Sequence, residues 1–230
     1  MSSTLSKLKF SLANDALIHF FHSQYWLPAE LNFIRNLNFS NDSDNIRKLK
    51  LRLLCEENND IIVAAVLADS HSDELIFLQD RYCRNFSFTK ISMKLHVHPN
   101  GLQRWRDKIL TDIASLLEYK LPLSDIFSRN KIEALILVLE RSIVFYETYK
   151  NFDQKFLISL KIKLHFYQNL LFVIKQFLNS DSAHIGVKII QAKILDQHST
   201  HEEMAKNLGV SHTTFSHYLR YFQQKFYPDF

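Results

Sequence analysis

Glycine and proline are scarce, with 3 and 4 in 230 residues. A β-sandwich or barrel of this length needs turn residues every 8 to 12 positions or so, at roughly regular spacing, so the scarcity disfavours an all-β fold and points to helices. Cysteine is nearly absent as well. Cys55 and Cys83 stand 28 positions apart with no CxxC pair, which excludes a disulfide framework and a zinc signature. No long uncharged apolar run is present: the nearest, Ala134 to Leu139, is closed by Glu133 and Glu140. A chain without a membrane partner is expected. The opening MSSTLSKLKF has no apolar stretch leading to a small-residue cleavage site, so a cytoplasmic protein is expected.

What the sequence does have is apolar bulk. Hydrophobic residues make up 47% of the chain and include 19 phenylalanines, ample for a packed core. The formal net charge of +4 fits a polyanion partner without requiring one. At this length either one domain or two is allowed.

Along the chain, apolar positions at helical spacing predict an all-α fold. Two short helices are expected in 11–39, separated at Pro28. The polar NDSDN at 41–45 precedes a helix over 46–68, with an interruption expected near Asn58 and Asn59. DSHSD at 69–73 offers Ser72 and Asp73 as the cap of a helix over 74–84, and 99–118 makes another, stopped by the restriction Pro122 places on Leu121. Two long aromatic-rich helices are expected in 124–178, divided near 151–153, where core packing, homodimer contact and a ligand pocket all remain open. A cluster of short helices follows to Phe226. The expected organisation is an N-terminal helical region (1–68), a first trihelical unit (69–120), central long helices (121–180) and a second trihelical unit (181–230).

Two segments carry the functional signal. In HEEMAKNLGVSHTTFSHYL, residues 201–219, Ala205 is small where two helices would cross. Gly209 suits a left-handed helix end, and Ser211 can cap the next helix. Met204, Leu208, Val210, Phe215 and Tyr218 take the apolar positions. FTKISMKLHVHPNGLQRWRDKIL, residues 88–110, fits the same template with Ile91, Leu95, Val97, Leu102 and Trp105, Ser92 as the small residue and Pro99 in the first helical turn. His96 stands where the turn glycine belongs. Pairing Ile91 with Met204 sets an offset of 113, which also aligns DELIFLQDRY (73–82) with GVKIIQAKIL (186–195). A duplicated trihelical unit is the reading.

The cores ISMKLHVH and MAKNLGVS resemble the helix-turn-helix of sigma-factor region 4 and related bacterial and phage regulators. The likeness spans about 45 residues of each unit and does not reach the promoter-melting region of a sigma factor. It implies duplex DNA as partner and two groove-facing helices. In the first unit the implied contacts are His98, Asn100, Gln103 and Arg104, with Arg106, Lys108, Lys90 and Lys94 supplying phosphate affinity. Arg104 suits guanine, and Gln103 or Asn100 suits adenine. In the second they are Ser211, His212, Thr213, Ser216, His217 and Arg220, short polar groups better matched to phosphates and thymine methyls. Between Arg81 and Lys108 seven bases face one acid, Asp107, whereas between His201 and Lys225 Lys206, Arg220 and Lys225 face Glu202 and Glu203. The first unit is therefore the stronger expected binder.

Other motifs fall short. His201-Glu202 lacks the second histidine of HExxH, because position 205 is Ala. His96 and His98 alone make no metal site, and Tyr218 and Tyr221, with no recombinase constellation around them, are expected to serve packing. Lys48, Lys50 and Arg52 suit the solvated side of a helix. Neither cofactor, metal nor catalysis is expected. The expected function is transcription regulation. A DNA-binding accessory of a phage or transposon recombination system, and an adaptor that contacts RNA polymerase, stand as alternatives.

Overall fold

The computed structural model describes residues 2–23, 44–148, 153–196 and 199–226. Every regular element among them is a helix, as the lack of turn residues foretold. The chain divides into two compact units, Met1–Lys120 and Leu121–Phe230. The N-terminal helices thus belong with the first trihelix and the long central helices with the second.

In the first unit, α1 (Ser2–Ser23), α2 (Asp44–Ala68), α3 (Ser72–Leu78), α4 (Phe88–Leu95) and α5 (Pro99–Leu117) follow one another. The second of the two helices expected in 11–39 lies outside the described residues. Asn58 and Asn59 do not interrupt α2. Asparagine costs a helix interior only about 0.7 kcal/mol, while Ile62, Val63 and Val66 of the same helix are all but fully buried; each contributes about 1.5–3 kcal/mol. The packing term decides.

The cap of α3 falls one residue before the expected Ser72. His71 takes the position, and its backbone N–H donates to Glu74 Oε2 at 3.1 Å. Beyond Leu78 the helix widens into one turn, Gln79–Cys83, in which Arg84 N donates to the carbonyl five residues back. The stop of α5 also differs from expectation. Tyr119 adopts φ 55°, and Lys120 N returns to Ser115 O at 3.1 Å, so a left-handed cap ends the helix before Pro122 acts.

Helix α5 is two-natured. Its C-terminal half buries Ile109, Leu110, Ile113 and Leu116, and the helix lies against α1 and α2. Its first turns bury only Leu102 and leave Asn100, Gln103 and Arg104 exposed.

The second unit opens with a short turn at Leu123–Asp125, then α6 (Arg129–Thr148), α7 (Gln154–Leu178), α8 (Ile185–Leu195), α9 (His201–Asn207) and α10 (His212–Phe226). Helices α6 and α7 run antiparallel: Glu140 meets Gln168 and Glu147 meets Lys161, numbers rising on one helix as they fall on the other. Lys131, 4% exposed, is held by Asp125 at 2.6 Å. Leu121 N donates to Tyr167 Oη at 3.1 Å. The aromatic side chains divide their roles, with Tyr167 in the core and Phe156 and Phe172 exposed, as are Leu137, Val144, Ile158 and Ile162.

By length and composition α7 is apolar enough to cross a membrane. A search for consecutive apolar residues misses this, because Lys155, Lys161, Lys163 and Lys175 divide the run. In the structure α7 packs along α6 and against α8.

Candidate nucleic-acid interface

The three short helices of each unit repeat in register. His71, Ser87 and His98 cap α3, α4 and α5; His184, Thr200 and Ser211, each 113 positions on, stand immediately before α8, α9 and α10. Lys90 N donates to Ser87 Oγ and Glu203 N to Thr200 Oγ1, both at 3.2 Å. Between the last two helices the chain turns through a left-handed residue in both units. His96 has φ 55° and Gly209 φ 66°. Val97 N donates to Ser92 O at 3.2 Å, and Val210 N to Ala205 O at 3.0 Å. The buried pairs Ile91 and Met204, Leu102 and Phe215, Ile109 and Phe222 obey the same offset.

The expected apolar positions split accordingly. Ile91, Leu102, Met204 and Phe215 are buried, whereas Leu95, Val97, Trp105, Leu208, Val210 and Tyr218 are half-exposed. Phe77 reaches the Trp105 ring at 6.4 Å and so ties α3 to α5. Tyr218 lies against Gly186, where an added Cβ would come within 2.7 Å of the ring. It is therefore a packing residue.

Each turn aims the start of the following helix outward. Residues at i, i+4 and i+8 advance only 40° per step around a helix of 100° per residue, so Asn100, Arg104 and Lys108 form one stripe on α5. All three are exposed. The equivalent stripe on α10 is Thr213, His217 and Tyr221, also exposed. Tyr221, expected to serve packing, is exposed instead; the i+4 spacing from His217 is the signal that could have placed it on the stripe.

Several of the remaining expected contacts have other engagements. His98 and Ser211 serve as caps: His98 Nδ1 accepts from Asn100 N at 3.2 Å, and Ser211 Oγ accepts from Thr214 N at 3.1 Å. Gln103 Nε2 donates to Asp107 Oδ1 at 2.7 Å. Arg106 is half-buried, at the position equivalent to buried Leu219. His212 and Arg220 are exposed and Ser216 is half-exposed.

The basic patch is also thinner than its count of bases. Asp80, with no exposed surface, accepts from Arg84 Nη1 and from Lys94 Nζ, each at 2.7 Å. Burial alone would raise the Asp80 pKa; the two cations outweigh it and hold the carboxyl below its ordinary range. Arg81 donates to Phe86 O at 3.2 Å and lies over the Phe88 ring, and Lys90 Nζ sits 3.4 Å from the Phe86 ring centre. Four of the seven bases therefore brace the loop between α3 and α4. Asp80 lies one residue outside the segment over which the charges were counted, and Lys94 reaches it across 14 positions.

Among the described residues no group of three His, Cys, Asp or Glu stands close enough to hold a metal ion, and Cys55 and Cys83 are unbridged. In comparisons with protein-family models, curated proteins and solved structures, nothing matches the chain. What the chain itself defines is an all-α protein in two units, in which the starts of three consecutive helices recur 113 positions apart.

Proposed function

We propose that this chain is a duplex-DNA-binding transcription regulator with two helix-turn-helix readers, one on α5 and one on α10. A single observation carries the reading: twice, at equivalent positions, a tight left-handed turn presents the first turns of a helix with an exposed polar stripe and a buried opposite side. That is the shape a major groove admits. Arg104 on the first stripe is the guanine-seeking group, Asn100 the adenine-seeking one, and Lys108 meets phosphate.

The second stripe, Thr213, His217 and Tyr221, holds no lysine or arginine, and this favours a different use of the second unit. There a protein surface such as RNA polymerase is the alternative partner, with Tyr221 as the aromatic anchor. Selection of bound sequences from a random duplex library separates the readings. Two readers yield a two-part consensus, a DNA-plus-protein arrangement yields one part, and a pure adaptor yields none. Sites mapped at promoters support regulation; sites at the ends of mobile elements support a recombination accessory.

A further inference from the structure

A second site lies within the Leu121–Phe230 unit. Ser124 and Phe127 from the segment before α6, Lys193 from α8, His201 from α9, and Ser216, Leu219, Arg220 and Gln223 from α10 line one cavity of about 390 Å³. The volume lies in the range of small-molecule pockets. Its lining carries two permanent cations and an imidazole, and no acid. Phe127 and Leu219 supply an apolar wall, while Ser124, Ser216 and Gln223 bring hydroxyl and amide donors. Burial first, and then the charges of Lys193 and His212, push the His201 imidazole below its ordinary pKa.

We propose that this cavity binds a small organic oxyanion, a phosphate ester or carboxylate with a short apolar body, held by Arg220 and Lys193 with His201 beside them. Arginine matches an oxyanion with paired donors, and the apolar wall accounts for a carbon skeleton that inorganic anions lack. The lining shares Ser216 and Arg220 with the expected contacts of the α10 reader and includes none of Asn100, Arg104 or Lys108, so the proposal stands apart from the α5 reader.

The test titrates the full chain, without DNA, with glycerol 3-phosphate and with inorganic phosphate, by calorimetry and by the NMR signals of His201. Saturable binding is expected, tighter for the ester, with the His201 pKa rising as the anion enters. Arg220→Gln and Lys193→Gln should each weaken it about tenfold or more, at unchanged melting temperature, while Lys206→Gln leaves it unchanged. Absence of saturable binding by either probe, or equal affinity in Arg220→Gln, overturns the proposal. So does a His201 response to duplex DNA alone, which would make the cavity a seat for backbone phosphate.

Discussion

His96 and Gly209 occupy the same left-handed backbone conformation, φ 55° and 66°, at equivalent turns of the two units. One carries a side chain there and the other does not. A residue with a Cβ costs about 1 kcal/mol in this region relative to glycine. His96→Gly should therefore raise the stability of the first unit by about 1 kcal/mol, and Gly209→Ala should lower that of the second by a similar amount. The space around Gly209 is open, so the strain is purely backbone. Urea denaturation of each variant checks this; a destabilised His96→Gly protein would show that the imidazole contributes more than its backbone costs.

Gly186 is needed for a different reason. A methyl group there meets the Tyr218 ring at 2.7 and 2.8 Å. Gly186→Ala should force α8 and α10 apart and cost about 1–3 kcal/mol by overpacking. The double variant with Tyr218→Leu should recover part of that loss. Failure of any recovery in a thermal melt would place the conflict elsewhere.

Asp80 organises the loop that precedes α4. Asp80→Asn should destabilise the first unit by about 2 kcal/mol, the scale of hydrogen bonds to charged groups. Its folded pKa is depressed, so the stabilisation is full above the unfolded carboxylate value, near pH 4, and is lost as pH falls through the folded value. Wild type and Asp80→Asn should thus converge in stability under strongly acidic conditions and differ at neutral pH. A constant difference across that titration contradicts the ion-pair account.

Arg104 and Lys108 share a stripe but not a task. Arg104→Ala should weaken the preferred duplex by about 1–3 kcal/mol and relax discrimination at one base pair, whereas Lys108→Ala should weaken all duplexes alike. Binding curves on the preferred site and on single-base variants distinguish the two. Identical patterns from both substitutions would remove Arg104 from the groove.

The helical class was legible because it rests on composition and periodicity, both local. So was the turn at His96, despite the missing glycine: Leu95 and Val97 flank it as Leu208 and Val210 flank Gly209, and the backbone follows that pattern. The wide turn at Gln79–Cys83 was not legible, since its geometry accompanies the burial of Asp80 and the long-range pair with Lys94. The end of α5 at Tyr119 escaped because an aromatic residue in a left-handed cap carries no propensity signal. At the site, Asn100, Arg104 and Lys108 were named through the resemblance, and the structure shows that all three are exposed. The capping duties of His98 and Ser211 compete with base contact and became visible only with coordinates.

The most direct test of the central claim is the salt dependence of binding to random duplex DNA, followed by fluorescence anisotropy. Affinity should fall linearly on a log–log scale, and the slope should shrink by about 1 when Lys108 is replaced by alanine. Affinity that is undetectable at low salt, or that ignores salt and Lys108 alike, would contradict DNA binding by the α5 stripe.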